Sequence, residues 1–205
     1  MSTRWFVALF VVAALAGCST SREPTLYALA SRPGTVREHG PRTIELRKPA
    51  LAGYLDQDGI VEGVSDFRVR VAREDDWGEP LGDMVARVLA EDLAARLPGT
   101  TVLAEGAGLE TRPEATVSVA IQRFDRDGRR DVVLRAQVAV ERRGAASIAA
   151  TPVELRVPVA GSDTRSLVAA MSDLLGELAD RIAPLLRDEA PVRNPAPADD
   201  RPAPR

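Results

Sequence analysis

Few side chains in this chain have the types and spacing that chemistry requires. Its 205 residues include one cysteine, Cys18, and one histidine, His39. One cysteine cannot form an internal disulfide, and one Cys with one His cannot build a Cys/His zinc site. A Ser-His-Asp triad would have to use His39, whose Gly- and Pro-rich surroundings are more typical of a solvated loop. The sequence therefore predicts no catalytic residue, no metal and no cofactor.

The other motifs of catalysis and ion binding are incomplete. The string Gly63-Val64-Ser65-Asp66-Phe67 lacks the final Gly of the hydrolase nucleophile motif. Asp56 with Asp58 and Asp125 with Asp127 resemble parts of a calcium loop. Neither pair has Gly at the sixth position of such a loop or the closing Glu, so turn chemistry explains both better. The formal net charge of −3 gives no electrostatic reason to expect nucleic acid as a partner.

Cys18 has a position that predicts covalent lipidation. An apolar run at residues 5–15 follows Arg4, suits a secretory signal, and is too short for a membrane span. Leu15-Ala16-Gly17-Cys18 comes next and resembles the bacterial lipobox. That resemblance implies diacylglycerol on the Cys18 sulfur and cleavage before it. In lipoproteins of the enterobacterial type, an Asp directly after the lipidated Cys retains the protein in the inner membrane. This chain has Ser19 there, which implies sorting to the outer membrane with the domain facing the periplasm.

The periodicity of apolar residues predicts the elements around these positions. Leu26-Tyr27-Ala28-Leu29 is predicted as a first strand, and alternation predicts half-buried strands at residues 43–48, 67–71, 117–122, 134–141 and 153–159. Helical spacing predicts one helix over 79–97, with Pro80 in its first turn, and another from about Thr164, whose end Pro184 should kink or fray. Asp125-Arg126-Asp127-Gly128 has the composition of a hairpin turn.

These elements predict one α+β domain. Strands with one apolar face need a cover, and two amphipathic helices can supply it. We expect a mixed or mostly antiparallel sheet of about six strands with both helices packed on one face. The predicted organisation is a signal peptide at 1–17, a lipidated tether at 18–25, the domain at 26–187 and a disordered Pro-rich tail at 188–205.

Trp77 has two interpretations. It stands beside acids in Asp75-Asp76-Trp77-Gly78-Glu79-Pro80-Leu81, just before the first predicted helix. The Trp either covers the edge of the core at the helix start or is an exposed aromatic anchor for a partner, since Trp is enriched among binding hot spots. Helix-start packing alone favours the first interpretation.

Four stretches of the sequence resemble the PqiC-like (YmbA-type) ABC transport auxiliary lipoproteins. They are the lipobox at Cys18, Tyr27-Ala28-Leu29, the segment from Ile44 through Tyr54-Leu55-Asp56 to Ile60-Val61, and Trp77-Gly78-Glu79-Pro80-Leu81 with Val88-Leu89 and Leu93 after it. Glu62-Gly63 departs from the family, which often has a Thr-Arg pair there.

This resemblance implies an outer-membrane lipoprotein in an intermembrane lipid transport system. Its partners would be an MCE-domain periplasmic protein, inner-membrane transporter subunits and further copies of itself in a ring-like homo-oligomer. Its role would be docking or lipid hand-over without catalysis, with Tyr54, Trp77, Glu79, Pro80 and Leu81 as candidate partner-binding residues. The alternatives are a lipid-anchored periplasmic hydrolase and a structural lipoprotein of outer-membrane assembly.

Overall fold

A computed structural model gives the fold for residues 23–38, 40–105, 112–128, 130–144 and 149–187. Cys18, His39, the predicted signal peptide and the predicted tail at 188–205 lie outside the described residues. The strands are β1 (Thr25–Tyr27), β2 (Thr43–Leu46), β3 (Ala50–Leu51), β4 (Gly59–Ser65), β5 (Arg68–Trp77), β6 (Thr101–Ala104), β7 (Ala115–Asp127), β8 (Asp131–Arg142) and β9 (Ala149–Pro158). The helices are α1 (Leu81–Arg96) and α2 (Thr164–Leu185).

The sheet is organised around β7, its longest strand. One edge of β7 pairs antiparallel with β8, and β8 in turn with β9. The other edge pairs in parallel with three short strands in succession: β2 beside Ala115, β3 beside Ala120 and β4 beside Arg126. Beyond these, β6 lies next to β2, and β5 followed by β1 lies next to β4. A single strand therefore holds both halves of the chain in one sheet.

The expected strand count and orientation need correction. The described sheet has nine strands where about six were predicted. It is mixed, with five parallel and three antiparallel pairings, so it is not mostly antiparallel. β3 is only two residues long, and β6 has the apolar residues Val102 and Leu103 side by side, so neither strand shows alternation. β4 contains two glycines and two register shifts, which break the period of two.

The predicted turn at Asp125-Arg126-Asp127-Gly128 also needs correction. β7 continues through Asp127, which pairs with Asp131, so the turn comes after Asp127 and begins at Gly128. Gly128 has a φ of 67°, the left-handed conformation that favours glycine. Asp125 is fully buried because its carboxylate has partners inside the fold.

The two helices form where their apolar spacing predicts. α1 begins at Leu81, because Pro80 has an extended ψ of 130° and stands as the N-cap before the first turn. α2 begins at Thr164, capped by Asp163, whose carboxylate accepts the backbone N–H of Ser166 at 3.2 Å. Pro184 lies in the last turn of α2, and the helix ends one residue later.

One core joins the helices to one face of the sheet. Val117, Val119 and Ile121 of β7 are buried in the same cluster as the apolar stripes of α1 and α2. On the opposite face of β7, Ser118 and Ala120 are half-buried and Gln122 is exposed. The apolar residues whose alternation predicted this strand therefore lie on the face that the helices cover.

A buried arginine ties the N-terminal loop to both helices. Arg96 of α1 is 1% exposed, and its Nε donates to Asp180 Oδ1 of α2 at 2.8 Å. Its guanidinium also donates to the backbone carbonyls of Arg32, Asp92 and Gly176. A Cβ on Gly34 would lie 2.0 Å from Nη2 of Arg96, so the loop approaches the guanidinium too closely for any side chain. We call Arg96, Asp92 and Asp180 the Arg96 network.

Candidate functional site

The junction between β5 and α1 brings together segments that are distant in the sequence. Tyr27 of β1 is the register partner of Trp77 in β5, and its carbonyl accepts the Gly78 N–H at 2.8 Å. The Trp77 N–H donates to the carbonyl of Asp58 at 2.8 Å. Three of the four stretches that carry the family resemblance therefore meet at one place, the strand-to-helix junction.

Side chains at this junction divide into buried and exposed members. Trp77 is 6% exposed and belongs to the core cluster, as Leu81 does at 2%. This agrees with the interpretation of Trp77 as a cover for the core edge. Glu79 and Pro80 are exposed, and Glu79 Oε1 accepts Arg87 Nη2 at 2.7 Å. The two buried residues thus fix the backbone that presents the two exposed ones.

Tyr54 is half-buried and anchors the loop between β3 and β4. Its hydroxyl donates to Asp125 Oδ2 at 2.6 Å, and Asp125 is fully buried in β7. Burial raises the pKa of Tyr54, and the hydrogen bond to Asp125 raises it further. The hydroxyl therefore remains a protonated donor, and its described role is to hold this loop on β7.

A row of charges extends from Asp125 across three strands, which the sequence analysis missed. Arg123 contacts Asp125 at 3.1 Å and Asp127 at 3.3 Å. Asp127 then accepts Arg156 at 2.6 Å, and the row continues through Glu154 to Arg135 at 3.0 and 3.1 Å. The Arg156 hydrogen bond lowers the pKa of Asp127, and hydrogen bonds from Arg156 and Arg135 lower that of Glu154. We call these six residues the charge row. Its pairs are set by strand register, which the sequence alone does not fix.

The acidic pairs that resembled calcium loops have other surroundings in the fold. The Asp125 carboxylate accepts a hydrogen bond from Tyr54 and forms an ion pair with Arg123, and the Asp127 carboxylate forms an ion pair with Arg156. Asp58 gives its backbone carbonyl to Trp77. No group of three or more His, Cys, Asp or Glu side chains suited to a metal occurs among the described residues. Across the same residues, no helix is long and apolar enough to cross a membrane.

The clefts on the described surface are open and mixed in polarity. One of them, about 460 Å³, lies between the loop at Gly40 and the β7–β8 edge, and its lining includes Arg42, Glu114, Arg142 and Arg143. Such a lining suits polar contacts better than an acyl chain.

Comparison with known proteins links this fold to transport lipoproteins. A family model described as "ABC-type transport auxiliary lipoprotein component" matches residues 27–183. Two curated proteins named "Intermembrane transport lipoprotein PqiC", from Escherichia coli (strain K12) and Shigella flexneri, are each 26% identical over 126 residues. The matched part is 60% of this chain and 65% of each relative, which is less than two thirds of their length.

Two solved structures share the fold. One is the crystal structure of an uncharacterised protein, with a TM-score of 0.67 and 19% identity, covering 80% of this chain and 98% of that one. The other is a protein from Xanthomonas campestris, with a TM-score of 0.64 and 17% identity, covering 78% and 92%. At these identities the likeness speaks for the architecture alone.

Proposed function

The chain belongs to the family of ABC-type transport auxiliary lipoprotein components, and from this premise we propose that it is the outer-membrane lipoprotein subunit of an MCE-type intermembrane lipid transport system. The family match over residues 27–183 carries the proposal. The curated relatives are named for intermembrane transport, which supports the same role for this chain. The subunit is held by lipid on Cys18 at the periplasmic face of the outer membrane, and it docks partners or hands over lipid without catalysis.

The docking surface in this proposal is the junction of β5 with α1. Glu79 and Pro80 are its exposed residues, Trp77 and Leu81 hold them from below, and Tyr54 fixes the neighbouring loop. The partner is an MCE-domain protein that spans the periplasm, itself joined to inner-membrane transporter subunits. Several copies of the chain form a ring-like homo-oligomer around it, which native mass spectrometry of the purified lipoprotein would detect.

Crosslinking in the source bacterium tests the partner and the surface together. The tagged full chain should capture an MCE-domain protein, and Glu79→Arg should reduce that capture at least several-fold, because a reversed charge at the interface opposes docking. Glu91→Arg is the matched control: Glu91 is also exposed on α1, and both acids contact Arg87, at 2.7 and 3.5 Å.

Two outcomes separate the parts of the proposal. If the unmodified chain captures no MCE-domain protein in repeated crosslinking, the transport role is wrong. If it does, but Glu79→Arg and Glu91→Arg capture the partner equally well, the docking surface lies elsewhere.

A further inference from the structure

The β4–β5 hairpin ends in an unusual turn. Ser65 pairs with Arg68, so the loop consists of Asp66 and Phe67 alone. Their φ values are 50° and 62°, the signature of a type I′ turn, in which Asn-Gly is the favoured sequence. A phenylalanine is strained in this conformation, and its side chain is fully exposed at the tip. Strain and exposure together indicate that the ring serves something other than the fold.

Apolar side chains continue from the tip along the hairpin. Seven large apolar side chains are exposed in the part of the chain that the structure describes, and four of them are Val64, Phe67, Val69 and Val71. Val64 and Val69 are a cross-strand pair directly behind the turn. An exposed apolar cluster of this kind marks a binding surface. We call these four residues the hairpin tip.

The anchored end of the chain approaches the sheet from the same side. β1 lies parallel to β5, with Thr25 beside Asp75 and Tyr27 beside Trp77. β1 therefore enters the sheet from the Phe67 end of β5. Six residues lie between Cys18 and Thr25, and the seven steps from one to the other reach about 25 Å at full extension. The strand from Asp75 back to Arg68 spans no more than about 24 Å, so Cys18 can lie at the level of Phe67.

We propose that the hairpin tip inserts into the bilayer that holds the Cys18 lipid. Phe67 enters the boundary between headgroups and acyl chains, and Val64 and Val69 follow it. Glu62 and Asp66 are equal in number to Arg68 and Arg70 around the tip, so the contact is apolar and does not require an anionic surface. With a lipid at one point and a hairpin at another, the domain has a fixed orientation on the membrane. The inference rests on the lipid anchor of the proposed function.

A tryptophan at the tip makes the insertion measurable. The lipid-bearing mature chain with Phe67→Trp is incorporated into phosphatidylethanolamine/phosphatidylglycerol vesicles that contain brominated acyl chains, which quench indole emission on contact. Trp77 is the other tryptophan once the signal with Trp5 is removed, and it is buried. We expect roughly twofold or greater quenching for Phe67→Trp relative to the unmodified chain, because interfacial apolar groups lie about 5–10 Å into this boundary.

Val36→Trp is the matched control, since Val36 is also an exposed apolar residue. It lies near the far end of α2, where the Thr35 N–H donates to Asp180. The hairpin lies near the start of α2. Gly63 of β4 pairs with Arg126 of β7, and the Arg126 guanidinium donates to the carbonyl of Asp163, the N-cap of α2. The helix separates the two positions by about 25 Å, so Val36→Trp should remain unquenched.

Three results would overturn the inference. In the first, the Phe67→Trp chain floats with the brominated vesicles, yet its indole emission is as strong as with vesicles that lack bromine. Another is emission that shifts to the blue with protein concentration in the absence of vesicles, which would mean that the tip contacts a second copy of the chain. The last is a chain that neither floats nor carries lipid on Cys18 by mass spectrometry, which would also remove the anchor from the proposed function.

Discussion

Arg96 illustrates how one side chain determines the path of a whole segment. Its guanidinium lies between α1, α2 and the loop at residues 30–37, and it makes hydrogen bonds to all three. The sequence gives no hint of this role, because Arg96 falls in the last turn of a predicted helix, where a basic residue is expected for other reasons. Its burial depends on contacts with residues such as Gly176 that are remote in the sequence.

Replacing this arginine should be costly. Arg96→Met leaves Asp180 without its arginine partner and removes the side-chain donor to three backbone carbonyls, and we expect a loss of about 3–5 kcal/mol in the free energy of unfolding. Arg87→Met, on the exposed side of the same helix, should cost less than about 1 kcal/mol. Denaturant unfolding of both variants measures the difference. Equal losses would mean that the Arg96 network contributes no more than a surface ion pair.

Acid should weaken the same network. Burial acts to raise the pKa of Asp180, but hydrogen bonds from Arg96 and from the Thr35 N–H outweigh it, and the pKa is lowered. A carboxylate with a lowered pKa stabilises the fold above its ordinary pKa, and the effect is lost as the pH falls through the folded value. Asp92 contributes to the pH dependence of stability with the opposite sign, since burial raises its pKa.

The variant Asp180→Asn isolates the contribution of the Asp180 carboxylate to the pH dependence of stability. Its deficit in unfolding free energy relative to the unmodified chain should be greatest near neutral pH and should shrink between about pH 5 and pH 3. Glu177→Gln changes an exposed carboxylate of the same helix and should show a smaller deficit near neutral pH. A deficit for Asp180→Asn that stays constant over this range would contradict the assignment.

At the scale of elements, the turn between β4 and β5 carries a testable strain. A residue other than Gly in the left-handed region costs about 1–2 kcal/mol, and Phe67 has a φ of 62°. Phe67→Gly should therefore raise the free energy of unfolding by roughly 1 kcal/mol. Phe67→Ala removes the ring but keeps the strain, so it should leave stability nearly unchanged. If both variants behave alike in denaturant unfolding, the turn is not strained.

The same hairpin marks the limit of prediction by periodicity. Alternation over residues 67–71 correctly predicts a strand, but Val69 and Val71 are exposed rather than packed on the core. Alternation reports that one face is apolar and does not report what covers it. In contrast, the stripes of α1 and α2 are buried as predicted, because helices of this length cover the sheet directly.

At the scale of the whole molecule, the sequence predicted the family and the α+β class, whereas the topology required the structure. The short strands β2, β3 and β4 each take a position on β7 that pairing over long sequence separations decides. The junction at Trp77 could be predicted as a motif, but its contacts with Tyr27 and Asp58 could not. The charge row was missed for the same reason, since its pairs depend on register.

The anchor can be tested separately from the fold. We expect Cys18→Ala to leave the thermal unfolding of the domain unchanged, because the described elements begin at Thr25. The protein should move from the membrane fraction to the soluble periplasm, since no lipid would be attached. Fractionation with a membrane-marker control measures this, and a variant that remains at the outer membrane would show that Cys18 does not localise the chain.

The single strand β7, shared by three short strands, also sets an order of folding. The β7–β8–β9 meander can form from contacts that are close in sequence, and such contacts form quickly. β2, β3 and β4 cannot pair with β7 until that strand exists, and each must close a long loop to reach it. A chain made from its N-terminus therefore keeps the edges of these strands that face β7 unpaired until β7 follows, although β4 can already pair with β5. We expect a chaperone that binds the newly made chain to bind within residues 43–65, before β7 is available to pair with them.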